Sequence, residues 1–117
     1  IRIGDAHRIA QRYLDIPPAE KKAFDEQMQN LPPNIAKRFK SLWKEFNDQK
    51  TPEAVIARDS DLLETMLQAK EYLDTGYLGA KRWLKNGSKY LKTASAKKLF
   101  REIQKNQFTD WWDKLNK

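Results

Sequence analysis

The sequence predicts an all-α fold, and three observations carry that prediction. Apolar residues recur three and four apart, most plainly as Ile35, Phe39, Leu42, Trp43 and Phe46. No stretch of useful length alternates apolar and polar residues as a half-buried strand does. Helix breakers fall at intervals that suit helices of ordinary length: Pro17-Pro18, Pro32-Pro33, Thr51-Pro52, Gly76 and Asn86-Gly87-Ser88. Six to seven helices are expected, packed around a central buried helix over about residues 52–75.

Each element has its own signals. Ala6 to Leu14 offers one apolar face (Ile9, Ala10, Tyr13, Leu14), with Asp5 as a candidate N-cap. Pro17-Pro18 ends that element and opens Ala19 to Leu31, a polar helix anchored by Phe24, Met28 and Leu31 and therefore read as a surface helix. After Pro32-Pro33 comes Asn34 to Asp48, the clearest amphipathic helix in the chain. Thr51 is placed to cap the central helix, Pro52 suits its first position, Glu53 favours the positive end of its dipole, and Gly76 is its expected stop. Its stripe of Val55, Leu62, Met66, Ala69 and Leu73 is widened by Ile56, Leu63 and Leu67. That width predicts neighbours on more than one side. Tyr77 to Asn86 should stop at Asn86-Gly87-Ser88. Thr93 or Ser95 should cap a helix running through Gln107, and Thr109 should open a last short helix with Trp111, Trp112 and Leu115.

Two carboxylates interrupt the central helix. At about 100° per residue Asp59 falls between Leu62 and Leu63, inside the apolar stripe, and Asp61 lies about a quarter-turn away on the stripe's other side. An unpaired buried carboxylate is costly, so at least one of the two needs a dedicated partner. A salt bridge or a helix-cap bond is one reading, and spacing alone favours it. A metal ligand on a buried helix is the other.

Composition narrows the classes. A chain of 117 residues is most simply a single helical domain, and 39% hydrophobic content with four Trp, five Phe and four Tyr supports a folded core. Without Cys there is no disulfide, thiolate metal site or cysteine nucleophile, a usage compatible with a cytoplasmic protein. His7 is the sole histidine, so one copy cannot assemble a two-histidine metal site. Gly-rich phosphate loops, GxSxG, HExxH and EF-hand loops are all absent from the sequence. Charge is uneven: Leu78 to Lys105 holds nine basic residues against one acid, Glu102, in a chain of net charge +7. With Trp83 and Tyr90 interleaved, that segment reads either as a nucleic-acid surface or as a solvated helical face whose aromatics turn inward. The spacing of Trp83 with Leu84 favours the second. A mild positive field attracting small phosphorylated substrates is a third reading.

Three blocks, IRIGDAHRIAQRYLD (1–15), VIARDSDLLETMLQAKEYLDTGY (55–77) and LKTASAKKLFREI…WWDKL (91–115), together resemble the C-terminal two-thirds of an HD-domain phosphohydrolase, on the branch of the five-prime deoxynucleotidases. The resemblance implies a helical domain that holds one divalent transition metal through a His, a His-Asp pair and a later Asp on a central helix. The later Asp matches Asp61, followed by Leu62, Leu63 and Glu64; Asp59 lies outside the motif position and is read as a structural carboxylate paired with Arg58 or a neighbouring helix. Gly4-Asp5 resembles the segment just after the His-Asp pair, which makes Asp5 a candidate catalytic or substrate-site residue.

The departure from the family pattern is large. The first His and the His-Asp pair have no counterpart in these 117 residues, and His7 matches none of their positions. The expectation is an HD-like helical domain lacking the family's N-terminal helices, part of a phosphomonoesterase for nucleoside 5′-monophosphates or similar esters and inert by itself. Its metal (Mn, Co, Fe, Zn or Ni) would be bound only when a missing N-terminal segment, in the parent protein or as a separate fragment, completes the site. Apolar surface left uncovered on the central helix is expected to pair with that segment or with a second copy of the chain. The alternative is a non-catalytic helical module that binds nucleic acid or protein through residues 78–105.

Overall fold

A computed structural model describes residues 10–113 and Leu115. Every regular element among them is helical: α1 (Ile16–Met28), α2 (Pro33–Asp48), α3 (Pro52–Asp74), α4 (Lys81–Gly87), α5 (Ala94–Lys105) and the single turn α6 (Asp110–Asp113). Three 3-10 turns, Ala10–Arg12, Leu78–Ala80 and Ser88–Tyr90, join them. The protein is all-α, as its periodicity predicts. Asp5 and the first part of the expected first helix (6–9) lie outside the described residues. Over the rest of it the chain forms the 3-10 turn Ala10–Arg12 and not an α-helix, and Tyr13 and Leu14, expected on its apolar face, are exposed. None of the described helices is long and apolar enough to cross a membrane.

The chain divides into two compact units, Ile1–Lys44 and Glu45–Lys117. In the first, α1 starts three residues earlier than its sequence suggests, because Pro17 and Pro18 occupy positions where a missing N–H costs nothing. Phe24 of α1 stacks on Trp43 of α2 with ring centroids 5.3 Å apart. Lys21 and Lys40 both reach the Asp25 carboxylate, and their hydrogen bonds hold its pKa below the usual carboxylate range. Neither helix buries a residue. The stripe predicted on α2 is real in its spacing, yet Ile35, Phe39 and Leu42 are all exposed.

The second unit is organised by α3. Thr51 caps it, its hydroxyl accepting from the Ala54 amide at 3.2 Å and donating to Glu45 Oε1 at 2.6 Å. At the far end Gly76 has φ +99°, its N–H donates to the Leu73 carbonyl, and the Tyr77 N–H donates to the Tyr72 carbonyl at 2.8 Å. That paired bonding is a Schellman cap, and it needs the left-handed conformation only glycine adopts cheaply. Between the caps, Met66 and Ala69 enter a core with Ala80, Leu84, Leu91, Ala96 and Phe100, while Leu62, Leu63 and Leu73 pack at its edge. The Leu78–Ala80 turn, α4 and α5 supply the neighbours that the wide stripe calls for. Ile56 and Leu67 nevertheless remain exposed.

Two boundaries in this unit also differ from expectation. The Asn86-Gly87-Ser88 triplet does not end α4 at Asn86; the helix includes Gly87 and passes directly into the 3-10 turn Ser88–Tyr90. Gly87 serves close approach instead, since a Cβ there would meet Met66 Cε at 2.8 Å and Cγ at 3.1 Å. A helical Gly→Ala change ordinarily gains up to about 1 kcal/mol. Met66 is only 1% exposed, and its Cγ and Sδ as well as its flexible end would be crowded, so overpacking should reverse the sign. Gly87→Ala is expected to destabilise this unit by about 1 kcal/mol in urea unfolding, and a stabilised variant would contradict the close-packing argument. Likewise α5 ends at Lys105, two residues before its expected stop: the Asn106 amide N–H and side chain both bond to the Glu102 carbonyl, and the backbone at Asn106 turns extended.

Candidate functional site

The two carboxylates of α3 separate sharply. Asp59 is 3% exposed and turned toward the residues that lead into α5. Its Oδ1 accepts from the Lys92 amide at 2.9 Å and its Oδ2 from the Thr93 amide at 2.7 Å. Thr93 is the N-cap of α5, its hydroxyl accepting from the Ala96 amide at 3.1 Å. Asp59 thus satisfies backbone donors just ahead of the helix while Thr93 satisfies one inside it, and the negative charge sits where the α5 dipole favours it. Burial pushes the Asp59 pKa up, but the bonds from Lys92 and Thr93 outweigh it, and the net position is below the ordinary value of 3.8. Between the two partners read for Asp59, the structure selects the neighbouring helix rather than Arg58.

Arg58 belongs to Asp61. Its Nη1 lies 3.1 Å from Asp61 Oδ2, and its Cζ stands 5.7 Å from the centroid of the Phe46 ring. Asp61 is well exposed, with 58% of its side-chain surface accessible. No group of three or more His, Cys, Asp or Glu side chains comes together among the described residues. The described residues alone therefore do not fit a metal ion: Asp61 is one carboxylate, beside a guanidinium. Asp5 and His7 lie outside the described residues.

Along α3 the Asp61 face continues into a concave surface. Thr65, Gln68 and Tyr72 follow Asp61 at four, seven and eleven residues, positions that share one side of a helix. They border a groove of about 370 Å³ whose floor is Ala69 and Ala80 and whose far walls are Tyr77 and Trp83. Tyr72 and Tyr77 meet edge to face, centroids 6.5 Å apart. The Tyr77 ring lies against Gly79, where a Cβ would approach its Cζ to 2.9 Å. Sequence reasoning missed this groove. The helical spacing from Asp61 to Tyr72 was visible, but the return of Tyr77 and Trp83 onto α3 depends on the Gly76 cap.

The basic segment is corrected as well. Leu84, not Trp83, is the inward anchor of α4; Trp83 is 63% exposed and Tyr90 52%. The nine Lys and Arg side chains of residues 78–105 are all exposed.

Comparison with known proteins places these observations. The family model for the HD domain matches residues 1–106. Among curated proteins, the chain is 42% identical to 5'-deoxynucleotidase HDDC2 of Dictyostelium discoideum over 53 residues, covering 45% of this chain and 28% of that protein. It is 33% identical to the Mus musculus protein of the same name over 86 residues, covering 63% of this chain and 43% of that protein. The figures for the Homo sapiens protein of that name are 31%, 63% and 42%. The chain therefore spans less than half the length of these relatives. No solved structure matches it. An all-helical fold and a family match over residues 1–106 agree: the chain belongs to the HD-domain family, and the relatives it is similar to carry the name 5'-deoxynucleotidase HDDC2.

Proposed function

We propose that the chain contributes to a metal-dependent phosphomonoesterase acting on a nucleoside 5′-monophosphate, with Asp61 as one ligand of a divalent transition metal. HD domains are generally metal-dependent. The observation that carries the reading is the division of labour on α3: Asp59 is consumed by the α5 junction, while Asp61 stands accessible on the same helix. A bound ion of this kind lowers the pKa of its water toward about 7 and polarises a phosphoryl oxygen. One carboxylate cannot hold it against water, so the remaining ligands come from upstream HD-domain sequence, in the same polypeptide or in a separate fragment. Asp5 is proposed as a residue beside the substrate. Mn, Co, Fe, Zn and Ni all suit imidazole with carboxylate ligands.

Phosphate release from deoxynucleoside monophosphates, assayed with Mn or Co and with or without the completing sequence, tests the reading. Release is expected only in the completed protein. Turnover by the 117-residue chain alone, unchanged in Asp61→Ala, would refute it.

A second reading, nucleic-acid binding by residues 78–105, is favoured by the outward aromatics Trp83 and Tyr90 among nine exposed cations. It requires oligonucleotide affinity that falls steeply with salt and is indifferent to Asp61→Ala. Affinity insensitive to salt counts against it.

A further inference from the structure

We propose that the groove walled by Tyr72, Tyr77 and Trp83 is a nucleobase subsite; this rests on the phosphomonoesterase reading above and names where the uncharged end of its substrate lies. The groove has the size and lining of a small-molecule site: about 370 Å³, with aromatic walls, an alanine floor and a few polar groups at the rim. Its charge selects the end of a nucleotide that enters. Among the described residues no Lys or Arg lines it and one carboxylate, Glu64, does, so a phosphate is disfavoured and a neutral flat ring is not. Aromatic faces stack on any base.

Gln68 supplies the hydrogen bonding that a base edge needs. Its Nε2 donates to Glu71 Oε2 at 3.1 Å, leaving the amide oxygen and the second N–H for a ligand. Position also fits. Thr65 and Gln68 stand about 6 and about 10 Å along the helix axis from Asp61, within the length of a nucleoside monophosphate. A phosphate held near Asp61 thus brings its base to the Thr65 and Gln68 end of this groove, with Tyr72 about 16 Å along the axis at the other end.

The test uses neutral nucleosides, thymidine and deoxyadenosine, titrated into the 117-residue chain without added metal. The readouts are the NMR signals of the Trp83 indole N–H and the Gln68 carboxamide. Both should shift saturably. Trp83→Leu should weaken binding roughly tenfold. Gly79→Ala, whose added Cβ would crowd the Tyr77 ring, should weaken it also. Gln68→Leu should change the ranking of the two nucleosides.

Shifts absent from both signals, or affinity unchanged in Trp83→Leu and Gly79→Ala alike, overturn the proposal. So does a Trp83 signal that moves with protein concentration and not with nucleoside, which marks a contact between copies. Because the probe carries no phosphate and needs no metal, the subsite and the hydrolase reading fail separately. Nucleoside binding with phosphate release that survives Asp61→Ala removes only the assignment of Asp61 as a metal ligand, whereas Asp61-dependent release without nucleoside binding removes only the subsite.

Discussion

Asp59→Ala is expected to lower the thermal midpoint of the Glu45–Lys117 unit by roughly 10–20 °C at pH 7, from a loss of about 3 kcal/mol in a unit of this size. The substitution removes both oxygens that receive the Lys92 and Thr93 amides and leaves those part-buried donors without that partner. A hydrogen bond to a charged group contributes about 1.5–3 kcal/mol, and an orphaned buried donor adds its own penalty. The pH dependence gives an independent readout. The Asp59 pKa is lowered in the folded state, so its stabilisation is complete above the unfolded value of about 3.9 and is lost as pH falls through the folded one. The parent chain should therefore lose stability on acidification below about pH 4. Asp59→Asn, which keeps one acceptor and cannot titrate, should start lower and lose less. Equal midpoints for parent and Asp59→Ala at pH 7, or identical acid slopes for parent and Asp59→Asn, contradict the junction described here.

Asp61→Ala is expected to do the opposite. The side chain is exposed and its ion pair to Arg58 spans a single helical turn, so stability should change by no more than about 0.5 kcal/mol. Phosphate release by the completed domain should fall more than 100-fold, since loss of a ligand exceeds the roughly 10–100-fold typical of changes one layer further out. Melting curves and a phosphate-release assay on one preparation check both halves. An active Asp61→Ala protein removes Asp61 from the site, and an unfolded one makes it structural.

These opposite expectations rest on a contrast the sequence held only in part. Helical angle separated Asp59 from Asp61, and the cost of burying a bare carboxylate required a partner for at least one of them. What spacing could not supply was the partner, because the donors are backbone amides of Lys92 and Thr93 and every residue type carries those. Caps read well where side chain and position agree: Thr51-Pro52 and Gly76 bound α3 as expected, and Thr93 rather than Ser95 caps α5. Gly87 misled because the local reading of glycine is a turn, while its use here is set by Met66 on another helix. Trp83 misled for a related reason. It adjoins Leu84, and periodicity alone does not say which of two adjacent apolar residues faces in.

The amides that Asp59 receives lie 33 and 34 residues further along the chain. Helices form within about a microsecond, whereas contacts so distant in sequence wait for chain closure. The α3 helix therefore carries an uncompensated anion on its inner side until Lys92 and Thr93 arrive, which sets α5 docking late on the folding route. Asp59→Asn should accordingly accelerate unfolding and leave the refolding limb in place; a slowed refolding limb would mean the junction is made early.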